Sequence, residues 1–427
     1  MESSNNSGNC AAKDLKKFTK KYSNLKEFNE QFDDCDILDI QFYKLQNDPE
    51  VYKQISSALR KCQNVTQLKI EIQNSQVIDQ LVQHLLEGIE NYKDLTYLSL
   101  DFTYNKMTDE GVKLITNALK RYQNINELEL VFQQNEQIGN EGAQGVADIL
   151  QNQHCIKKLT LDMSSCQISD KGISHIAKSI EKHQNLTKLN LKFYINQLTP
   201  QSGLFIGNAI SKFQHITELQ LNFDNSHING EGVEKIAAAI KNYQHIQNLN
   251  FSFWRCEINS EQGKMFADSL KNFKNLTSLT IKLDQETGSV GGISIAKALE
   301  NLHNIVELSF YITDLNLEGT KYLAHAIKNW SNIQKLKLDF GYCVIGKEGV
   351  KQISDAIKNH KNITILNLYF SGEKTIGLND YNPIVESVVK YQQIKEVSIR
   401  NLEISQSDIQ TIQEKITKAH QGIELYL

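Results

Sequence analysis

The segment EGVKLITNALKRYQNINELELVF, Glu110 to Phe132, decides the fold. Val112, Ile115, Ala118 and Leu119 recur at helical spacing and form one apolar stripe. Leu128, Leu130 and Phe132 then alternate with Glu129 and Val131, the period of a strand. The same order of helix, turn and strand returns from Glu231 to Phe253 as EGVEKIAAAIKNYQHIQNLNFSF. Most of the remaining chain is a variation on this unit.

Working outward, the first apolar strand position falls at Leu38, Leu68, Leu98, Leu128, Leu159, Leu189, Leu219, Leu249, Leu279, Leu308, Leu336, Leu366 and Val397, with a last near Ile423. Subtracting neighbours gives intervals of mostly 29 to 31 residues. Further apolar side chains follow two and four residues on, often phenylalanine: Phe102, Phe132, Phe193, Phe223, Phe253, Phe340 and Phe370. Each strand is reached through a helix, so a parallel ladder is expected. Stacked repeats make one long body, so the 427 residues read as one solenoid and not as several domains. The expected organisation is a polar, disordered tail over 1–12, a helical cap over 13–34, and a solenoid of about thirteen to fourteen repeats over 35–427.

Punctuation repeats with the strands. Glu110-Gly111, Glu141-Gly142, Glu231-Gly232, Glu318-Gly319 and Glu348-Gly349 open helices, where an acid suits the positive end of the helix dipole. Pro49, Pro200 and Pro383 are expected at or near helix starts. A bulky residue precedes each strand: Tyr92, Tyr122, His183, Phe213, Tyr243, Phe273, Trp330, His360 and Tyr391. This series reads either as a ligand-binding ladder or as a spine plugging the gap between helix end and strand. Past each strand comes a small residue: Asn105, Asn135, Cys166, Asn196, Ser226, Cys256, Cys343. Such side chains bond the backbone of tight turns, which accounts for three cysteines without chemistry. The period breaks at Leu283 to Gly292 and at Ser371 to Pro383, which read either as contact loops on one edge of the solenoid or as simple drift of the repeat.

Together, LxxLxL, Asn/Cys, Ile and EGVxxIAxAI resemble the leucine-rich repeat family, in its long ribonuclease-inhibitor-like form, over about residues 35 to 427. The strand reads LxLxF, two residues longer before the Asn/Cys than the family norm. The helices end in Asn/Gln/Lys-rich turns instead of the inhibitor's cysteine-containing ones. The resemblance implies a right-handed α/β horseshoe with parallel strands on the concave face and helices outside.

Composition narrows the function. Net charge is -4 and charged residues make up 22%, well mixed. No global basic field exists for nucleic acid or an acidic membrane. The Asn, Gln, Lys and Ile bias suits an AT-rich genome such as a protist's. MESSNNSGNCAAK lacks the apolar stretch of a secretory signal, and no window of about 18 apolar residues spans a bilayer. Seven scattered cysteines without a CxxC pair favour a reducing compartment. Asn-x-Ser/Thr sequons such as Asn185-Leu-Thr then carry no glycan. A cytoplasmic location is expected, with cytoskeletal or ciliary association equally compatible.

Apparent catalytic motifs are decoys. Asp339-Phe340-Gly341 spells a kinase metal-binding tripeptide, but Phe340 is a core strand position and no HRD accompanies it. Gly288 to Gly292 lacks the Lys-Ser/Thr of a phosphate loop. His215 and His245 are too few for a zinc site. No catalytic residue, cofactor or metal is expected, and the chain reads as a non-enzyme.

Residues between the apolar strand positions point onto the concave sheet. Early strands offer acids, including Asp101, Glu129 and Asp162; middle strands offer amides; late strands offer Tyr311, Lys337, Tyr369 and Arg400. Tyr194 and Trp254 follow equivalent strand ends. These nine are the expected partner-binding residues, because exposed aromatic and Arg residues anchor interfaces. Fourteen strands at roughly 4.8 Å make an arc of roughly 60 Å, wide enough for a small folded protein. The expected role is a protein-binding scaffold, alone or as a subunit of an assembly, whose partner turns its basic side to the early strands. The alternative is an enzyme regulator, which the resemblance suggests through ribonuclease inhibitors and activators of the Ran GTPase. The acidic C-terminal tail of the latter is absent here. A terminal Ile423-Glu-Leu-Tyr-Leu427 strand invites pairing with another strand at its edge.

Overall fold

The computed structural model describes residues 19–22, 35–45, 48–283, 285–370, 376–401 and 404–427. The strands are β1 (Thr19–Tyr22), β2 (Ile37–Tyr43), β3 (Gln67–Gln73), β4 (Tyr97–Asp101), β5 (Glu127–Val131), β6 (Lys158–Asp162), β7 (Lys188–Lys192), β8 (Glu218–Asn222), β9 (Asn248–Phe253), β10 (Ser278–Leu283), β11 (Glu307–Ile312), β12 (Lys335–Phe340), β13 (Ile365–Phe370), β14 (Glu396–Asn401) and β15 (Glu424–Tyr426). They form one 15-stranded parallel sheet in sequence order. A helix follows every strand from β2 to β14. The strands line the concave face and the helices the convex one.

The register is that of the leucines. Leu98 pairs with Leu128, Leu128 with Leu159, Leu159 with Leu189 and Leu189 with Leu219. The series runs unbroken to Val397, whose partner is Leu425 and not Ile423. Ile423 and Leu425 share a parity, so both suit the same face, and the pairing Glu424 to Glu396 fixes the later one. These leucines are buried throughout, as are Phe193, Phe223 and Phe253, whose rings stack from repeat to repeat at 6.0 and 5.7 Å.

The unit that opened the reading shows how each helix forms. Helix Asp109–Leu119 begins behind Thr108, whose hydroxyl accepts from the Glu110 N–H at 3.1 Å. Gly111, Val112, Ile115, Thr116 and Leu119 form its buried side. The glycine of the Glu-Gly pair answers to packing. Helices Pro200–Ile210 and Gly230–Ile240 approach so closely that a Cβ on Gly203 would lie 2.5 Å from the Gly232 Cα.

The bulky series before the strands is a structural spine. Tyr92 Oη donates to the Leu59 carbonyl at 2.9 Å, Tyr122 to Ile89 at 2.6 Å and Tyr243 to Ile210 at 2.7 Å. Trp330 Nε1 donates to Leu302, and His183 Nε2 lies 3.0 Å from the Leu150 carbonyl. Each side chain thus fills the gap and satisfies a carbonyl of the preceding repeat at or just past its helix end. The small-residue ladder closes the opposite turn. Asn135 Oδ1 accepts from Met107 N while its amide donates to the Phe102 and Phe132 carbonyls. The Cys166, Cys256 and Cys343 thiols donate to carbonyls in equivalent places.

Three expectations change. Thr19–Tyr22, inside the segment expected as a helical cap, is a strand that pairs with Ile37 to Ile40; the rest of 1–34 lies outside the described residues. That pairing occupies the outer edge of β2, which a helix could not do. The break after Leu283 is a shortened connection and not an insertion: a 3-10 turn at Gln285–Thr287 runs straight into helix Gly288–Leu299. Its glycines stay helical because a neighbouring helix packs on them; a Cβ on Gly263 would lie 2.9 Å from the Gly291 Cα. Residues 371–375 of the second break lie outside the described residues. Pro383 sits inside helix Leu378–Lys390, not at its start, whereas Pro49 and Pro200 do occupy first positions.

Candidate interaction surface

Rows of side chains run along the concave face, one residue per strand. The row nearest the strand C-termini continues from Lys282 through Tyr311, Asp339 and Tyr369 to Arg400, each the register partner of the next. The adjacent row carries Lys337, Asn367 and Ser398.

Most charge on this face is already paired. Lys69 meets Glu71 at 2.6 Å, Lys158 meets Glu127 at 3.0 Å, and Lys188 meets Glu218 at 3.4 Å. Lys192 meets Asp162 at 3.6 Å, Lys282 meets Asp224 at 2.9 Å, and Lys335 meets Glu307 at 2.6 Å. Lys337 and Arg400 are the strand cations of this face with no carboxylate within 4.0 Å among the described residues.

The expected acids serve the protein itself. Asp101 accepts from the Thr103 N–H at 2.8 Å and from Gln73 at 2.7 Å. Asp162 is 3% exposed and accepts from the Ser164 N–H at 3.1 Å. Glu129 accepts from the Tyr97 hydroxyl at 3.2 Å. Asp101, Asp162 and Asp339 each bond the N–H two residues on, an Asx turn that ends the strand. The sequence signal was available: Asp or Asn recurs at this register position in four strands, as Asp101, Asp162, Asn222 and Asp339.

Tyr194 and Trp254 are half-buried and tied to the same network. Burial, with the carboxylates of Asp162 and Asp224 nearby, pushes the Tyr194 phenol up to about 12. Asp224 accepts from the Trp254 N–H and the Ser252 hydroxyl, both at 2.7 Å. Lys282 completes the group, 5.4 Å above the Trp254 ring. A cation already paired and stacked adds little attraction for a ligand.

The other expected residues converge. Tyr311, Lys337, Tyr369 and Arg400 line one recess of about 430 Å³, with Asp339 and Asn367 on its floor. Tyr311 and Tyr369 flank Asp339 from neighbouring strands, so their backbones stand roughly 10 Å apart with Asp339 between them. Gly341 lets the Tyr369 ring pack close behind Asp339: a Cβ there would lie 3.0 Å from Tyr369 Cε1 and 2.9 Å from Asp339 Oδ1. Burial raises the Asp339 carboxyl above its ordinary range, opposed by the Gly341 N–H and by Lys282. On the turn beyond β12, Tyr342 is 66% and Val344 77% exposed, residues the sequence reading passed over. They lie two and four residues past the end of β12, the strand that carries Lys337 and Asp339.

Among the described residues, no group of three or more His, Cys, Asp or Glu side chains is placed to hold a metal ion, and no helix is long and apolar enough to cross a membrane. Phe340 is buried in the core and Gly288 to Gly292 is helical, as the readings of those motifs as decoys require.

A family model described as "Leucine Rich repeat" matches residues 96–115 and 157–177. No curated protein matches the sequence. Among solved structures, a chain of the yeast Rad7–Elc1 complex aligns with TM-score 0.44 and 12% identity, covering 88% of each chain. A leucine-rich repeat protein of Leptospira interrogans aligns with TM-score 0.31 and 16% identity, covering 96% of this chain and 100% of its own. Two repeats match in sequence, and the same unit continues as an unbroken parallel ladder through the described chain, so the fold is that of a leucine-rich repeat solenoid.

Proposed function

We propose that the chain is a non-catalytic scaffold that binds a protein partner on its concave sheet, through the recess between β11 and β14. One observation carries this reading: the two strand cations that meet no carboxylate among the described residues and the two late tyrosines of the concave face fall in the same place. Aromatic and Arg side chains in a partly enclosed site are the residue types that dominate binding energy. The exposed Tyr342 and Val344 add apolar area that only a large ligand would cover. Asp101, Glu129, Asp162, Tyr194 and Trp254 contribute the shape and charge order of the surrounding sheet, since their polar atoms or rings are engaged internally. The turn cysteines donate as thiols, chemistry that suits a reducing compartment such as the cytoplasm.

The test is a pull-down from the native source with wild type and with Tyr311→Ala/Tyr369→Ala. The scaffold reading expects a discrete set of partners lost in the double variant, with unchanged thermal unfolding. An identical partner set in both would remove the recess from consideration.

A further inference from the structure

The recess has a chemical preference. We infer that it takes an acidic, extended segment of the partner protein, with carboxylates on Lys337 and Arg400 and one neighbouring side chain beside the rings of Tyr311 and Tyr369. This rests on the docking reading above and adds the partner's chemistry to it.

Charge bookkeeping along the sheet supports it. Six strand cations of the concave face already meet carboxylates of the protein itself, so an incoming acid would have to displace one. At Lys337 and Arg400 it displaces nothing among the described residues. Arg400 is exposed and Lys337 half-buried, so both reach a ligand lying on the sheet. The acids of the face are committed too. Asp339, the carboxylate inside the recess, already accepts from the Gly341 N–H at 2.7 Å, and burial favours its neutral form. A basic ligand would thus meet the two recess cations and one occupied acid. An acidic one meets complementary charge in a partly desolvated place, where such complementarity sets both rate and choice of partner.

Geometry favours a linear segment over a rounded surface. Lys337 and Arg400 lie on β12 and β14, two strands apart and offset by two residues along the strand, so their backbones are separated by roughly 12 Å. An extended chain running obliquely across the strands spans that distance in about four residues. It can then set an acid on each cation and place a side chain between them beside the tyrosines.

The full-length protein is probed with an array of random decapeptides, at low and physiological salt. The expected result is enrichment of Asp and Glu in the bound peptides, with binding weaker at higher salt. Lys337→Glu/Arg400→Glu should lose these peptides by about tenfold or more and select Lys- and Arg-containing ones instead. A misfolded variant could not gain that new preference. Bound peptides without acidic excess, an unchanged preference in the charge-reversed variant, or no bound peptide at all would each overturn the inference. The docking reading is judged separately. If the native partner is lost with Tyr311→Ala/Tyr369→Ala but kept by the charge-reversed protein, docking stands and the acidic segment falls.

Discussion

The middle of the concave sheet and its late part share one scaffold and differ in what they expose. From β7 to β9 the surface is a shallow depression of about 210 Å³ carpeted by Asn190, Gln220 and Asn250, its Lys188 closed by Glu218. From β11 to β14 the depression is about 430 Å³, flanked by tyrosines and by cations that meet no carboxylate among the described residues. Below both, the buried rungs are the same: Leu189, Leu219 and Leu249 in one, Leu308, Leu336 and Leu366 in the other, all at most 2% exposed. In a solenoid each strand's inner face answers to packing and its outer face is released from it. The two rows therefore vary independently, and a binding site arises by changing outer residues over three or four repeats.

The largest effects should not distinguish the regions. Leu219→Ala and Leu338→Ala each delete a buried rung and should cost about 2–5 kcal/mol in chemical denaturation. A markedly smaller loss at Leu338 would mean that the late repeats are loosely packed and that the recess is a packing defect. Next comes the difference itself. Tyr311→Ala/Tyr369→Ala should weaken partner binding by about 2 kcal/mol or more, while stability changes far less. Gln220→Ala/Asn250→Ala should leave titrated affinity unchanged within about 0.5 kcal/mol. A smaller effect is expected at the boundary between the regions. Asp224→Asn removes the partner of Lys282 and should strengthen acidic-peptide binding by a few-fold, since a third cation then borders the recess. Isothermal titration of one peptide against both proteins reads this directly.

The smallest effect concerns the spine that both regions share. Burial holds the His183 imidazole below its ordinary value of 6.5, opposed by its contact with the Leu150 carbonyl. The neutral ring is favoured in the folded state, so the unfolded chain binds the extra proton. The stability tied to the neutral ring is therefore full above about pH 6.5 and is lost as pH falls towards the lowered folded value. His183→Tyr, which installs the residue found at Tyr92 and Tyr122, should reduce the stability lost between pH 7 and pH 5. An equal acid loss in both proteins would mean that His183 does not titrate in that window.

How much the sequence disclosed follows from the same division. Leu98, Leu128, Leu159, Leu189 and Leu219 were legible as consecutive rungs because a period of about thirty residues leaves one register that buries every leucine. The Asn/Cys turn ladder was legible because its side chains bond at fixed offsets. The recess was half legible: alternation placed Tyr311, Lys337, Tyr369 and Arg400 on the open face, and the ladder brought them together. Hidden was which charges are paired. Asp162 pairs with Lys192 across one strand and Asp224 with Lys282 across two, and no spacing in a single sequence announces the second. The role of the glycine in each Glu-Gly pair was hidden for a related reason. Glu110 has a local role at its own helix, whereas Gly111 answers to Asp79 one repeat away, whose Oδ1 would lie 2.3 Å from an added Cβ. Local rules recover local causes, and contacts one or two repeats away need the fold.

The central claim is that partners meet the late part of the concave sheet. A photo-crosslinking amino acid placed at Tyr369, and in a second protein at Gln220, tests it in the native cell. A discrete partner adduct from position 369 and none from position 220 is the expected result; adducts of equal yield, or from position 220 alone, would contradict it.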